Sequence, residues 1–95
     1  MTTPTFAEFE TRKKAEGYGT VLERNWEPHA LANTHTHPFD ASALVVRGGF
    51  ALTVNGQTQQ LVPGSTFDVP RNTPHSEQYG PEGATFWVGR RGPTP

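Results

Sequence analysis

The sequence predicts an all-β domain with one short N-terminal helix. Short apolar segments with a period of two recur along the chain at intervals of roughly 8–12 residues, as in a β-sandwich or β-barrel. Ten glycines and nine prolines in 95 residues exceed the average of roughly 12% for these two types, which indicates frequent turns. At 33% hydrophobic residues, a chain this short supplies one core and therefore one domain.

The helix is predicted over residues 6–16. Thr5 precedes Glu8 by three residues, the spacing at which each side chain hydrogen-bonds the other's backbone N–H at a helix start. Apolar residues including Phe9 follow at helical intervals, and Gly17 ends the pattern.

Alternation from Thr20 onward predicts the first strand. Further strands are predicted at Ser42–Arg47, Phe50–Val54, Thr58–Val62, Thr66–Val69, His75–Tyr79 and Ala84–Arg90. Asn55-Gly56 supplies the two positive-φ residues of a type I′ hairpin turn. Gly48-Gly49 and Pro81–Gly83 are expected to separate neighbouring strands in the same way.

Charge and composition exclude several classes of function. Eight Lys and Arg against nine Asp and Glu leave no concentrated basic face for nucleic acid or an anionic membrane. The chain has no cysteine, which excludes disulfides, thiolate metal sites and cysteine nucleophiles. No basic N-terminal segment followed by an apolar run occurs, and no apolar stretch is long enough to span a membrane, so we expect a cytoplasmic protein.

Three histidines are spaced as metal ligands. Because residues i and i+2 of an extended segment point to the same side, His35 and His37 can offer both imidazoles to one ion. His75, from a later strand, could complete a triangular face and leave the opposite positions for water, oxygen or a substrate. The alternative interpretation of a His-x-His pair is two surface imidazoles.

These segments resemble the two signature motifs of the cupin superfamily. His35 and His37 correspond to the His-x-His of the first motif, while Gly64, Pro70 and His75 keep the spacing of the second. The resemblance covers residues 19 to 90 and implies a cupin-type double-stranded β-barrel, or jelly roll, with a metal near one mouth. The chain then divides into an N-terminal helical segment at 1–18, the barrel at 19–90 and a flexible tail at 91–95.

The sequence departs from the family pattern at several positions. Asn72 replaces the glycine of the second motif, which is a mild change because Asn tolerates a left-handed backbone, and Tyr79 replaces its final asparagine. The family's glutamate ligand falls at Ala41 or Ser42, and neither binds a metal well. Asp40 is the nearest carboxylate and becomes a ligand only if Pro38 bends the chain or a bulge restores its register; otherwise it is a solvated turn residue.

Glu77 is the candidate catalytic residue. It lies two positions beyond His75 and should face the same cavity, where its carboxylate could act as a base or hydrogen-bond a ligand; the alternative is a surface charge. His29 is expected in a turn without a ligand role. Phe86 and Trp87 must face opposite sides of a strand, so one of them should pack against the N-terminal helix or a second subunit, which favours a homodimer.

The resemblance implies one divalent transition metal, Fe, Mn, Ni, Zn or Cu, held by His35, His37 and His75. The leading functional hypothesis is a mononuclear metalloenzyme acting on a small organic substrate, by dioxygenase-like or isomerase- or lyase-like chemistry. Two alternatives stay open: a non-catalytic small-molecule-binding or sensor cupin, and a structural remnant that no longer binds metal. Fold alone does not choose among these functions.

Overall fold

A computed structural model describes residues 3–92, and the structural statements below concern these residues. One helix and six strands follow in chain order: α1 Phe6–Ala15, β1 Thr20–Trp26, β2 Leu31–His35, β3 Asp40–Val54, β4 Gln57–Leu61, β5 Thr66–Val69 and β6 His75–Arg91. The predicted all-β class with one short helix is confirmed. The helix begins with the predicted capping box, in which Thr5 and Glu8 each accept a hydrogen bond from the other's backbone N–H.

All strand pairs are antiparallel. The central path runs β1-β6-β3-β4, while β2 also pairs with β6 and β5 also pairs with β3. Each of the other four strands therefore pairs with β3 or β6, as expected for the predicted double-stranded β-barrel. Strand β2 was not among the strands predicted from the sequence.

Two predicted breaks are wrong, because β3 and β6 each run through them as one strand. Gly48 has φ +70°, and a Cβ there would lie 2.0 Å from the carbonyl oxygen of Gly83. Gly83 itself has φ +66°, and its own Cβ would lie 2.2 Å from the carbonyl oxygen of Trp26. The pairing of β3 with β6 shifts register between Gly48 and Phe50. The glycines thus permit close approach of backbones at a bulge instead of ending the strands.

The predicted left-handed turn residues are confirmed. Asn55 and Gly56 have φ values of 51° and 79° in the turn between β3 and β4. Asn72 has φ 60° in the loop that leads to β6. This loop sets where the first residue of β6 enters the barrel.

Aromatic rings form much of the core and extend toward the barrel mouth. Tyr79 stacks on Phe50 with 4.7 Å between ring centroids and on Trp26 with 4.9 Å. Phe86 is buried in the same core, whereas its neighbour Trp87 contacts the rings of Phe6 and Phe9 in α1. The two residues therefore face opposite sides, and Trp87 packs against the helix.

The chain ends are described only in part. Strand β6 includes Arg91, the first residue of the predicted tail. Residues 93–95 of that tail, and residues 1 and 2 of the N-terminal segment, lie outside the described residues. Over residues 3–92, none of the helical structure has the length and apolar character needed to cross a membrane.

Candidate metal centre

Three histidines meet at one mouth of the barrel. His35, the last residue of β2, pairs across the sheet with His75, the first residue of β6. His37 follows two residues later in the connection to β3. The ring centroid of His35 lies 4.6 Å from that of His37 and 4.3 Å from that of His75. One ring nitrogen from each residue lies within 4.8 Å of the other two.

Backbone carbonyls orient two of the rings. The Nδ1 atom of His35 lies 2.6 Å from the carbonyl oxygen of Asn33, and that of His75 lies 2.9 Å from the carbonyl oxygen of Thr73. Because a carbonyl only accepts, each Nδ1 is the donor in this contact, which leaves Nε2 as the ring nitrogen that is available to a metal. Metal-binding histidines are commonly held in this way.

The third ring is positioned by an aromatic contact. His37 stacks on Phe39 with 4.8 Å between centroids and 17° between ring planes. Burial lowers the pKa of His37, and the neighbouring His35, His75 and Arg90 lower it further. A lowered pKa keeps the imidazole neutral near pH 7, which is the form that binds metal.

Glu77 faces the same cavity, as its spacing from His75 predicts. Its side chain is 11% exposed, and Oε2 lies 3.6 Å from Nε2 of His75 and 4.0 Å from Nε2 of His35. The hydroxyl of Tyr79 donates a hydrogen bond to Oε1. Burial raises the pKa of Tyr79, and the charge of Glu77 raises it further, so the phenol stays a donor. The carboxylate is thus fixed with one oxygen directed at the histidines.

The structure does not bring Asp40 into this cluster. Its Oδ1 accepts from the backbone N–H of Arg71 at 2.8 Å, and its Oδ2 accepts from the side chains of Arg71 and Arg91 at 3.2 and 3.4 Å. Hydrogen bonds from Arg71 lower the pKa of Asp40 to about 2. The register is regular from Asp40 to Val45, so no bulge turns the carboxylate toward the cavity that Ala41 lines.

His29 also lies away from the cluster. It is exposed, with φ 59°, in the turn before β2, as expected for a turn residue.

A cavity of about 50 Å³ opens beside the histidines. It is lined by His37, Phe39, Ala41, Phe67, Val69, His75, Glu77, Phe86, Val88 and Arg90. Phe39 and Arg90 were not among the site residues predicted from the sequence. Alternation along β6 contains the signal for Arg90, because residues 86, 88 and 90 share a face.

The donor set fits a divalent first-row transition ion. Three imidazoles and an adjacent carboxylate suit such ions, and none of the donors is a thiolate. The three nitrogens lie within 4.8 Å of one another, whereas ligands at about 2.0–2.1 Å from one ion lie at most about 4.2 Å apart, so the rings would draw closer together on binding an ion.

Solved structures of similar fold include both enzymes and proteins described only by family. KdgF from Halomonas sp. is 23% identical with a TM-score of 0.65, over 75% of this chain and 66% of that chain. A chain described with the DMSP lyases RdDddP and RnDddQII is 27% identical with a TM-score of 0.70, over 76% of this chain and 37% of that chain. An oxalate decarboxylase variant from B. subtilis is 23% identical with a TM-score of 0.67, over 76% of this chain and 20% of that chain.

This chain covers less than two thirds of the length of each of these three structures. No curated protein matches it. The family model described as a cupin domain matches residues 21–79, which reach from β1 to the first part of β6 and include His35, His37 and His75. The chain belongs to the cupin family.

Proposed function

We propose that this cupin is a metal-dependent enzyme that moves a proton on a small organic substrate. His35, His37 and His75 would hold one divalent ion, and Glu77 would act as the base. The observation that carries the proposal is the convergence of three ring nitrogens within 4.8 Å beside a carboxylate that is 11% exposed.

The residues of the chain have distinct roles in this chemistry. An ion of Fe, Mn, Ni, Zn or Cu would supply Lewis-acid polarisation of a substrate oxygen. Glu77 would accept the proton at Oε2, since its other oxygen is occupied by the Tyr79 hydroxyl. Apolar walls from Phe67, Phe86 and neighbouring residues would limit the access of water to the reacting groups.

A lyase or isomerase reaction agrees best with this arrangement. Such reactions use a positioned base next to an activated carbonyl, which is the role that Glu77 can fill. Similar folds include chains described as DMSP lyases and as an oxalate decarboxylase. Dioxygenase chemistry is the main rival, and it does not require a base at Glu77.

Metal binding is the first test. We expect full-length protein purified without an affinity tag and supplemented with each ion to contain about one equivalent by elemental analysis. His75→Ala should retain less than about 0.1 equivalent, because one of three nitrogen ligands is lost, while His29→Ala is the control and should match the wild type. Less than about 0.1 equivalent in the wild type would refute the proposal and favour the remnant hypothesis.

The reaction class is the second test. In D₂O, metal-loaded protein should catalyse the replacement of the acidic C–H hydrogen of small carbonyl compounds by deuterium. NMR measures the rate of this exchange. Glu77→Gln should slow this exchange about 100-fold or more with metal content unchanged, whereas Glu82→Gln, at an exposed position, should not. Oxygen uptake that survives Glu77→Gln would favour a dioxygenase. Ligand binding without exchange or oxygen uptake would favour the sensor.

A further inference from the structure

Arg90 brings a positive charge to the candidate metal centre. It lines the same cavity as His37, His75 and Glu77. Its Nε atom is buried and has no hydrogen-bond partner in the structure. Within residues 3–92, no carboxylate lies within ion-pair distance of its guanidinium. A buried N–H donor without an acceptor is uncommon in folded proteins and indicates a missing partner.

The contacts of Arg90 fix its guanidinium near the histidines. Its Cζ atom lies 4.7 Å from the centroid of the Phe39 ring, and the same ring stacks on His37. The neighbouring Arg91 instead pairs with Asp40. Burial lowers the pKa of Arg90, and the positive charge of Arg24 lowers it further. The protein therefore places an uncompensated cation here at an energetic cost that an anionic ligand would offset.

Charge and volume define the ligand that would fit. Among the described residues that line the cavity, Glu77 is the single carboxylate, so a divalent ion together with Arg90 leaves net positive charge. The cavity volume of about 50 Å³ holds roughly three to five water-sized groups. Val69, Phe86 and Val88 form apolar walls, which suits a short carbon chain. The fitting ligand is a small carboxylic acid.

We propose that Arg90 binds the carboxylate of a small acid substrate whose carbonyl or hydroxyl oxygen lies at the three histidines. The substrate assignment rests on the proposed function. Arg90 would donate hydrogen bonds from its guanidinium N–H groups to the carboxylate, a charge-assisted contact that neutral ligands cannot make. The carbon next to the polarised oxygen would then lie within the cavity that Glu77 faces.

The test compares acetate with acetamide, which has the same shape and no charge. NMR titration of the protein gives the dissociation constants of acetate and acetamide. The titrations are made with zinc bound and again after a chelator has removed the zinc. Metal-free protein isolates the contribution of Arg90. We expect acetate to bind at least about tenfold more tightly than acetamide, and Arg90→Gln to remove this preference. Arg91→Gln, which makes the same charge change on the adjacent residue, is the control and should keep it.

Each outcome decides a separate point. Equal acetate affinity in Arg90→Gln and Arg91→Gln, with normal zinc content, would overturn the role of Arg90 and leave the metal proposal intact. Arg90-dependent acetate binding in a protein that takes up no metal would refute the proposed function while supporting the anion site. If Arg90→Gln does not fold, Arg90→Lys replaces it: we expect acetate affinity to fall about threefold or more because the planar fork is lost, and an unchanged affinity would overturn the proposal.

Discussion

The hydroxyl of Tyr79 is the contact through which the core holds Glu77. The Tyr79 ring is packed between Trp26 and Phe50, while its oxygen donates to Oε1 of Glu77. The position of the candidate base therefore depends on core packing, although Tyr79 itself has no predicted contact with substrate. Tyr79 is a positioning residue.

Tyr79→Phe should separate these two roles. The ring stays packed, but Glu77 loses a donor to a buried oxygen, so we expect the free energy of unfolding to fall by about 1–3 kcal/mol. The rate of deuterium exchange into the carbonyl compounds should also fall, while the metal content stays unchanged. Urea unfolding measures the first effect, and Tyr18→Phe is the control, with an expected change within about 0.5 kcal/mol. Equal effects of the two substitutions would contradict the positioning role.

Asp40 stabilises the fold through Arg71 and Arg91, and its effect should depend on pH. Its pKa is about 2, below the ordinary 3.8, so its contribution is present above about pH 4 and is lost as pH falls toward 2. We expect Asp40→Asn to lower the urea midpoint at pH 7, and the difference from wild type to shrink by pH 2. Chelator should be present throughout. Asp68→Asn, at an exposed position, is the control; a difference that stays constant with pH would contradict this interpretation.

The candidate site was predictable where strand alternation applies. Spacing placed His35 with His37 and Glu77 with His75, and the resemblance to cupins predicted that the two pairs meet, as the structure shows. For Asp40 the sequence could not decide between a ligand and a turn residue, because the answer depends on whether a bulge shifts its register. Arg90 was missed because its importance comes from lacking a partner, which is a property of the folded surroundings and not of sequence spacing.

At the scale of elements, Gly48 and Gly83 allow β3 and β6 to approach and to continue as single strands. Both glycines were predicted to lie in turns between strands. Their positive φ does not distinguish the two cases, because it occurs in turns and in bulges. A bulge glycine differs from a turn glycine in which atoms surround the position that a Cβ would occupy. A neighbouring backbone occupies that position at Gly48, whereas nothing lies within 4 Å at the hairpin residue Gly56.

This difference predicts unequal costs for two alanine substitutions. Gly56→Ala should cost about 1–2 kcal/mol, because its φ of +79° strains an L-residue. Gly48→Ala carries similar strain and also places a Cβ 2.0 Å from the Gly83 carbonyl oxygen, so we expect a loss above about 3 kcal/mol or failure to fold. Urea unfolding compares the two variants, and similar losses would contradict the close approach of β3 and β6.

At the scale of the whole molecule, metal binding should stabilise the barrel, because His75 lies far along the chain from His35 and His37. An ion at 100 times its dissociation constant adds about 2.7 kcal/mol to the free energy of unfolding. For a chain of 95 residues this raises the melting temperature by about 10 °C or more. Calorimetry of zinc-supplemented protein measures the shift. His75→Ala should show none, and an unchanged wild-type melting temperature would contradict a site formed by folding.

The predicted homodimer and cytoplasmic location stay predictions. The aromatic surface that favoured a second subunit is partly covered by the chain itself, since Trp87 contacts Phe6 and Phe9. Leu31 and Val62 are large apolar residues that remain 65% and 56% exposed. Analytical ultracentrifugation of the full chain measures the oligomeric state directly.

Strand β6 carries His75, Glu77, Tyr79 and Arg90, and it also pairs with β1, β2 and β3. Because its partners lie far away in sequence, it can dock only late in folding, after long loops have closed. A chain in which β6 has not yet docked would therefore lack the binding cavity. The time at which the ion binds during refolding would then report when β6 pairs with the other strands.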